Sequence, residues 1–165
     1  EVGQIVNAAG LGAAAVAALA GEDDLEVHYC KGDYFWTTRE VVRGLVYPVP
    51  EAGLKGLGVH TTVDLAGRIR FGPDTEWVDS LGYDVDEAKA PAFCAALGRY
   101  LEGVGVDDLQ PDTAGIRPKL HRGDRFGDFL VRRGPSGLIT LAGIESPGLT
   151  SCLGLGQEVA GLVRG

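Results

Sequence analysis

The most informative segment of the chain lies near the C-terminus and reads Ala142-Gly143-Ile144-Glu145-Ser146-Pro147-Gly148-Leu149-Thr150-Ser151. An apolar strand runs into a Gly/Pro turn, and a helix follows, because apolar residues recur at helical spacing from Leu149 to Val163. The backbone N–H groups of a first helical turn have no partners within the helix, and the helix dipole is positive there. The segment therefore predicts either a cradle for an anion or an ordinary capped helix.

The composition is typical of a globular, turn-rich domain, with 165 residues, 45% hydrophobic residues and 26 glycines. The net charge of −8 argues against nucleic-acid binding, since no basic block is present to neutralise phosphates. No apolar run approaches the ~20 residues that a membrane-spanning helix requires. The three cysteines form no CxxC pair, so they indicate neither a disulfide framework nor a zinc site, and they favour a reducing, cytoplasmic setting.

The start of the chain is unusual for a natural reading frame. It begins Glu1-Val2-Gly3-Gln4, and the chain contains no methionine. Neither an initiator residue nor a signal peptide is present. We therefore expect the chain to be a piece of a longer protein.

The order of predicted elements indicates an α+β fold. A short buried strand over 4–9 precedes an Ala-rich helix that ends near Leu19. The middle of the chain predicts strands, a long loop over 72–84 and a helix from Asp86 to about Leu101; these strands cover 27–37, 44–49, 56–62 and 68–71. Further short strands, over 114–119, 128–131 and 138–142, precede the final helix. The pattern predicts a mostly antiparallel sheet with one helix, flanked by two βα pieces that lie side by side and share one ligand.

The first strand–helix turn carries a possible dinucleotide fingerprint. Residues 10–15 fit GxGxxA. The fingerprint also needs an acidic residue at the end of a second parallel strand, but the corresponding region here is the Gly32-Asp33 turn of an antiparallel sheet. Asn7 also places a polar residue where the motif prefers apolar ones. Close packing of a helix on a strand through small residues is the alternative interpretation.

Two side chains are candidates for chemistry. Arg117 precedes Pro118, which fixes an extended backbone, and a guanidinium on a stiff strand suits bidentate capture of a carboxylate. His60 follows Gly58 by two positions, so a gap above the glycine would leave room for a substrate beside an imidazole that can accept a proton. The alternatives are a surface arginine and a half-buried histidine bonded to the backbone.

Four segments together resemble one family. They are Val6-Asn7-Ala8-Ala9-Gly10; Lys31-Gly32-Asp33-Tyr34 with Tyr47-Pro48-Val49-Pro50 and Leu57-Gly58-Val59-His60; Leu109-Gln110-Pro111-Asp112 with Ala114-Gly115-Ile116-Arg117-Pro118; and the turn from Ala142 to Thr150. In order and spacing they resemble the C-terminal part of FAD-dependent oxidoreductases of the D-amino-acid-oxidase superfamily. Within it they are most similar to the L-2-hydroxyglutarate dehydrogenase/oxidase branch. The N-terminal βαβ unit of that family has no counterpart here.

The resemblance implies a domain organisation and a set of roles. Residues 1–24 and 121–165 would belong to an FAD-binding domain, and 25–120 to a substrate-binding domain. Arg117 would bind the substrate carboxylate and His60 would lie at the reacting carbon. The partner of a second carboxylate stays open, with Tyr34, Lys119 and Arg43 as candidates. The residues implied to contact FAD are Ala9, Gly10, Gly143, Ser146, Pro147, Gly148, Leu149 and Thr150.

The implied activity is oxidation of a small 2-hydroxy acid, resembling L-2-hydroxyglutarate, to the 2-oxo acid. The alternatives are an amine or amino-acid oxidase of the same superfamily and a stand-alone, non-catalytic binding module. Related amine oxidases place an oxygen-activating lysine where this chain has Gly56, and Lys55 points to the opposite face of a regular strand. This departure favours a quinone or an electron-transfer protein as the electron acceptor. The expected partners are therefore substrate, acceptor and the missing N-terminal half, in the cytoplasm or at the membrane surface.

Overall fold

A computed structural model describes residues 3–49, 58–123 and 127–165. The chain divides into two compact units, one formed by Glu1–Cys30 with Arg117–Gly165 and the other by Lys31–Ile116. Both units contain strands and at least one helix, and the α+β prediction is confirmed. The division into FAD-binding and substrate-binding domains at 24/25 and 120/121 stays a prediction.

The unit built from the two ends of the chain contains a three-stranded sheet among the described residues. Its strands are β1 (Val6–Asn7), β7 (Leu130–Arg133) and β8 (Ile139–Ala142), in the order β1-β8-β7. β1 pairs with β8 in parallel, with Val6 opposite Ile139. The prediction that the two ends lie side by side is therefore confirmed. β1 is an edge strand, and its burial was predicted wrongly: Val6 is 42% exposed.

Small residues let the first helix approach this sheet closely. Helix α1 (Ala13–Leu19) packs on β8, and Ala13 and Ala17 are fully buried. The buried Asn7 fixes the turn between β1 and α1, since its side-chain amide donates to the Ala13 carbonyl at 2.8 Å and its oxygen accepts from the Ala9 N–H at 3.2 Å. This turn supports the interpretation of close helix–strand packing. The last helix, α3 (Gly148–Arg164), follows β8.

The unit of residues 31–116 is built around an antiparallel sheet. In chain order the strands are β2 (His28–Thr37), β3 (His60–Val63), β4 (Ile69–Gly72), β5 (Glu76–Val78) and β6 (Gln110–Lys119). They are arranged β3-β4-β2-β5, and β6 also pairs with β2. Helix α2 (Ala90–Leu97) covers the core, where Phe35 and Phe93 lie with ring centroids 4.7 Å apart. The predicted antiparallel sheet with one helix is confirmed.

Three local predictions in this unit were wrong. The stretch 44–49 makes only one described bridge, Val46 to Thr61, and Pro48 has no N–H to extend a ladder. The expected loop 72–84 contains β5. The α2 helix ends at Leu97, four residues earlier than predicted, although Tyr100 still packs against the core. The Asp86 cap is confirmed, since its side chain accepts from the Ala88 N–H.

None of the helices in the described ranges is both long and apolar enough to cross a membrane.

Candidate active site

The turn before α3 has the backbone that its glycines predict. Gly143 has a φ of +68°, a conformation that side chains rarely adopt, and a Cβ there would lie 2.7 Å from Leu120. The helix begins after Pro147, whose carbonyl accepts from the Ser151 N–H at 3.0 Å and from its hydroxyl at 3.1 Å. The Gly148 N–H donates to the Glu145 carbonyl at 2.5 Å, so this first N–H of α3 is used within the turn.

A cavity of about 460 Å³ lies beside this turn, within the same unit. Its lining is mostly apolar and comes from β1 and the turn after it, from β8 and from α3: Val6, Ala8, Gly10, Leu141, Ile144, Gly148, Cys152, Leu155, Gly156 and Val159. The structure thus brings the two predicted FAD contacts Gly10 and Gly148 to one cavity. Gly10 has a φ of +57° and open space where a Cβ would stand, so a ligand can approach its backbone.

This cavity fits part of a flat, largely apolar group with an anionic edge, because apolar walls adjoin a helix N-terminus. The fit agrees with an isoalloxazine ring. The other predicted FAD contacts do not line the described cavity wall: Ala9, Gly143, Ser146, Pro147, Leu149 and Thr150. Leu149 is 89% exposed. Their predicted contacts with FAD stay predictions.

Arg117 and Lys119 lie two residues apart on β6, on one face of the strand. Both contact the carboxylate of Glu145: Arg117 Nη1 is 3.0 Å from Oε2, and Lys119 Nζ is 2.6 Å from Oε1. The Arg117 side chain is 40% exposed and that of Glu145 only 14%. The structure therefore unites the predicted Arg117 and Lys119. The sequence analysis did not predict Glu145 as a site residue. It is the only acidic residue in the segment 142–151.

His60 begins β3 and is buried, with 8% of its surface exposed. Its Nδ1 lies 3.0 Å from the Gly58 carbonyl oxygen, which can only accept a hydrogen bond. We therefore assign the proton to Nδ1 in the neutral ring, which leaves a lone pair on Nε2. The ring of Tyr47 stacks on His60 with centroids 4.3 Å apart, a contact that the sequence analysis did not foresee.

The predicted gap above Gly58 is corrected by the structure. Gly58 has a φ of +73° and precedes β3, so it is not a same-face strand neighbour of His60. A Cβ on Gly58 would lie 3.0 Å from the Pro48 ring, which occupies the space that the missing side chain leaves. A cavity of about 460 Å³ does adjoin Gly58, but His60 is not among the described residues that line it, so room for a substrate beside the imidazole stays a prediction.

Tyr34 and Arg43, the other candidates for a second carboxylate, differ in their surroundings. The Arg70 guanidinium lies 5.2 Å from the centre of the Tyr34 ring, and Gly72 lies directly against that ring. Arg43 is exposed. Tyr34 and His60 belong to the unit of residues 31–116, whereas Arg117 and Lys119 belong to the other unit, so a substrate site shared by these residues stays a prediction. Lys55 and Gly56 lie outside the described residues.

Comparison with known proteins identifies the family. The model of the family described as FAD dependent oxidoreductase matches residues 1–162. The chain belongs to this family. The resemblance inferred from the four sequence segments is confirmed, as are an oxidoreductase as the class of protein and FAD as its cofactor.

Individual relatives add detail about similarity. The chain is 39% identical to a mitochondrial L-2-hydroxyglutarate dehydrogenase of Arabidopsis thaliana, over 94% of the chain and 36% of that protein. It is 24% identical to the L-2-hydroxyglutarate dehydrogenase of Indibacter alkaliphilus, over 94% of the chain and 49% of that protein. The chain spans a third to a half of the curated relatives it matches.

The fold is similar to a solved L-alpha-glycerophosphate oxidase from Mycoplasma pneumoniae with FAD bound. The TM-score is 0.80 at 24% identity, over 98% of this chain and 43% of that one. A glycine oxidase from Bacillus cereus gives a TM-score of 0.66 at 13% identity, over 98% and 42% of the two chains. These likenesses confirm the fold.

Proposed function

We propose that the whole protein is an FAD-dependent dehydrogenase that oxidises a small 2-hydroxy acid, L-2-hydroxyglutarate or a close analogue, to the 2-oxo acid. The observation that carries the proposal is the pair of cations on one face of β6. Arg117 and Lys119 supply a planar fork and a point charge, and such a fork can bind a carboxylate through two parallel hydrogen bonds. The names of the relatives from Arabidopsis thaliana and Indibacter alkaliphilus support this substrate class.

Each residue has a distinct task in the proposed reaction. Arg117 holds the substrate carboxylate and so orients C2 and its hydroxyl group. His60 accepts the hydroxyl proton at Nε2, the ring nitrogen that the Gly58 contact leaves unprotonated. FAD, when bound, supplies the acceptor for the hydride of C2. Gly10 and the first turn of α3 would hold one part of FAD, and a helix N-terminus stabilises negative charge there.

Turnover by the whole protein tests this proposal. We expect faster turnover of L-2-hydroxyglutarate than of glycine, sarcosine or proline, measured as reduction of an artificial electron acceptor under identical conditions. The amino acids test the alternative of an amine or amino-acid oxidase. The fold is also similar to that of a glycine oxidase, so this alternative needs a direct comparison. Higher kcat/KM values for the amino acids would refute the hydroxy-acid proposal.

The electron acceptor is a second part of the proposal. Gly56 stands where related amine oxidases have their oxygen-activating lysine, and we therefore propose a quinone or an electron-transfer protein. We expect reoxidation by a soluble quinone to outpace reoxidation by dissolved O₂, followed by stopped-flow absorption. We also propose a cytoplasmic location. The three cysteines form no CxxC pair, and this spacing supports a reducing compartment.

A further inference from the structure

The carboxylate of Glu145 stands between the two cations proposed to bind substrate. Its Oε2 contacts Arg117 and its Oε1 contacts Lys119, so both oxygens are engaged. Its side chain is the least exposed of the three, at 14% against 40% for Arg117 and 28% for Lys119. All three residues belong to the same compact unit. The Glu145 carboxylate thus bridges the Arg117 guanidinium and the Lys119 ammonium group.

We propose that Glu145 is a positioning residue that fixes the guanidinium of Arg117. The inference rests on the proposed function, because it takes Arg117 as the group that binds the substrate carboxylate. Glu145 engages Nη1, one of the three guanidinium nitrogens, and so leaves Nη2 and Nε to bind a second carboxylate. One anion and two cations give the cluster one net positive charge, which suits a single carboxylate.

Removing the charge of Glu145 has two possible consequences, which differ in sign. If Glu145 merely competes with the substrate for the cations, its neutralisation strengthens binding of an anion. If Glu145 positions Arg117, its neutralisation weakens binding, because two like charges two residues apart on one strand face repel and the long Arg117 side chain regains its rotamers. The second consequence is the one that our proposal requires.

The experiment uses the whole flavoprotein and the variant Glu145→Gln, which keeps the side-chain size and removes the charge. Glutarate, a dicarboxylate without a hydroxyl group to oxidise, serves as the probe, and its Kd is measured by isothermal titration calorimetry. We expect the Kd to rise about tenfold, as for loss of a well-oriented charge-assisted contact. With L-2-hydroxyglutarate, KM should rise while kcat changes much less, since Arg117 would bind ground and transition states alike.

Two further variants make the result interpretable. Glu158→Gln removes the same charge from an exposed position of α3 and should leave the Kd of glutarate unchanged. Glu145→Asp keeps the charge but is shorter by one methylene, so it should raise the Kd less than Glu145→Gln does. If Glu145→Gln fails to fold or to retain FAD, the Asp variant decides the question.

An unchanged or lowered Kd for glutarate in a folded, FAD-loaded Glu145 variant would overturn the proposal. A failure of the proposed function has a different signature. In that case the wild-type protein does not oxidise L-2-hydroxyglutarate. The Kd values of glutarate for wild type and Glu145→Gln still show whether Glu145 supports carboxylate binding.

Discussion

At the scale of single residues, the neighbours of a side chain define what it can do. His60 receives its tautomer from the Gly58 carbonyl and its ring packing from Tyr47. Arg117 receives its orientation from Glu145. The proton of His60 is therefore assigned to one ring nitrogen, and the guanidinium of Arg117 is held in one direction. The roles of His60 and Arg117 can therefore each be tested by a single substitution.

Replacing Arg117 by alanine in the whole protein should lower kcat/KM for the 2-hydroxy acid. The lost charge-assisted contact contributes about 1.5–3 kcal/mol, which corresponds to about 10- to 150-fold. The FAD content should stay normal, since the substitution removes a substrate contact. Steady-state kinetics and the visible flavin spectrum of the purified variant provide the two measurements.

Arg164→Ala is the matched control for that experiment. It removes the same charge from the exposed end of α3 and should leave kcat/KM as in the wild type. Activity of Arg117→Ala within twofold of wild type, or loss of FAD in its place, would contradict the assignment of Arg117 to the substrate.

At the scale of elements, a charged cluster joins the start of α2 to the sheet beneath it. Lys89 contacts Asp33 on β2 at 2.6 Å, Glu76 on β5 at 2.7 Å and Asp74 at 2.9 Å. Burial acts to lower the pKa of Lys89, but these three hydrogen bonds outweigh it and raise the pKa above its ordinary value. The Asp33 side chain is fully buried, and its two carboxylate oxygens contact the ammonium groups of Lys31 and Lys89.

Lys89→Ala should therefore destabilise the fold by about 3 kcal/mol or more, because it leaves a buried carboxylate with too little compensating charge. Denaturant unfolding of the whole protein measures this loss. The double variant Lys89→Ala/Asp33→Asn should be more stable than Lys89→Ala alone, since it also removes the buried charge. Asp33→Asn alone completes the double-mutant cycle, and effects of the two substitutions that simply add would show that the pair is not coupled.

The hairpin between β3 and β4 carries a pH-dependent contact. The bond from Arg68 lowers the pKa of Asp64 below its ordinary value of 3.8, and backbone N–H groups of Arg68 and Ala66 add to this effect. A lowered pKa in the folded state means that the contact stabilises the fold above pH 3.8 and is lost as the pH falls through the lowered value.

The stability difference between wild type and Asp64→Asn should accordingly be constant near neutral pH and shrink as the pH falls below about 4. Denaturant unfolding at a series of pH values measures this difference. Glu102→Gln, at an exposed position, provides the control for a general charge effect. A difference that does not change with pH would refute the role of the Asp64 carboxylate.

The elements differ in how far the sequence could predict them. Strong local signals were reliable: β2 differs from the expected 27–37 by one residue, and the Asp86 cap is present. β1 was expected to be longer and buried, because its apolar residues do not reveal that it forms an edge. The pairing of Glu145 with β6 joins residues 28 positions apart, and no local pattern encodes such a contact.

At the scale of the whole molecule, the chain carries only part of the contacts that FAD would need. It spans 36% to 49% of the first two relatives, and its cavity beside α3 is lined by apolar groups and one helix N-terminus. We expect the 165-residue chain, when expressed alone, to purify colourless and inactive. A visible flavin spectrum at about one FAD per chain would contradict this prediction.

The parallel pair of β1 and β8 has a consequence for synthesis on the ribosome. The partner of Val6 is Ile139, so about 130 residues must be made after β1 before its neighbour exists. At about 5–20 residues per second, β1 waits roughly 7 to 26 seconds. The residues 31–116 that intervene form a contiguous stretch and can begin to fold during that interval. Meanwhile the segment that contains the apolar Ile5 and Val6 lacks the neighbour that β8 provides, so that side of it offers an unpaired strand edge that a chaperone can bind or a neighbouring nascent chain can capture.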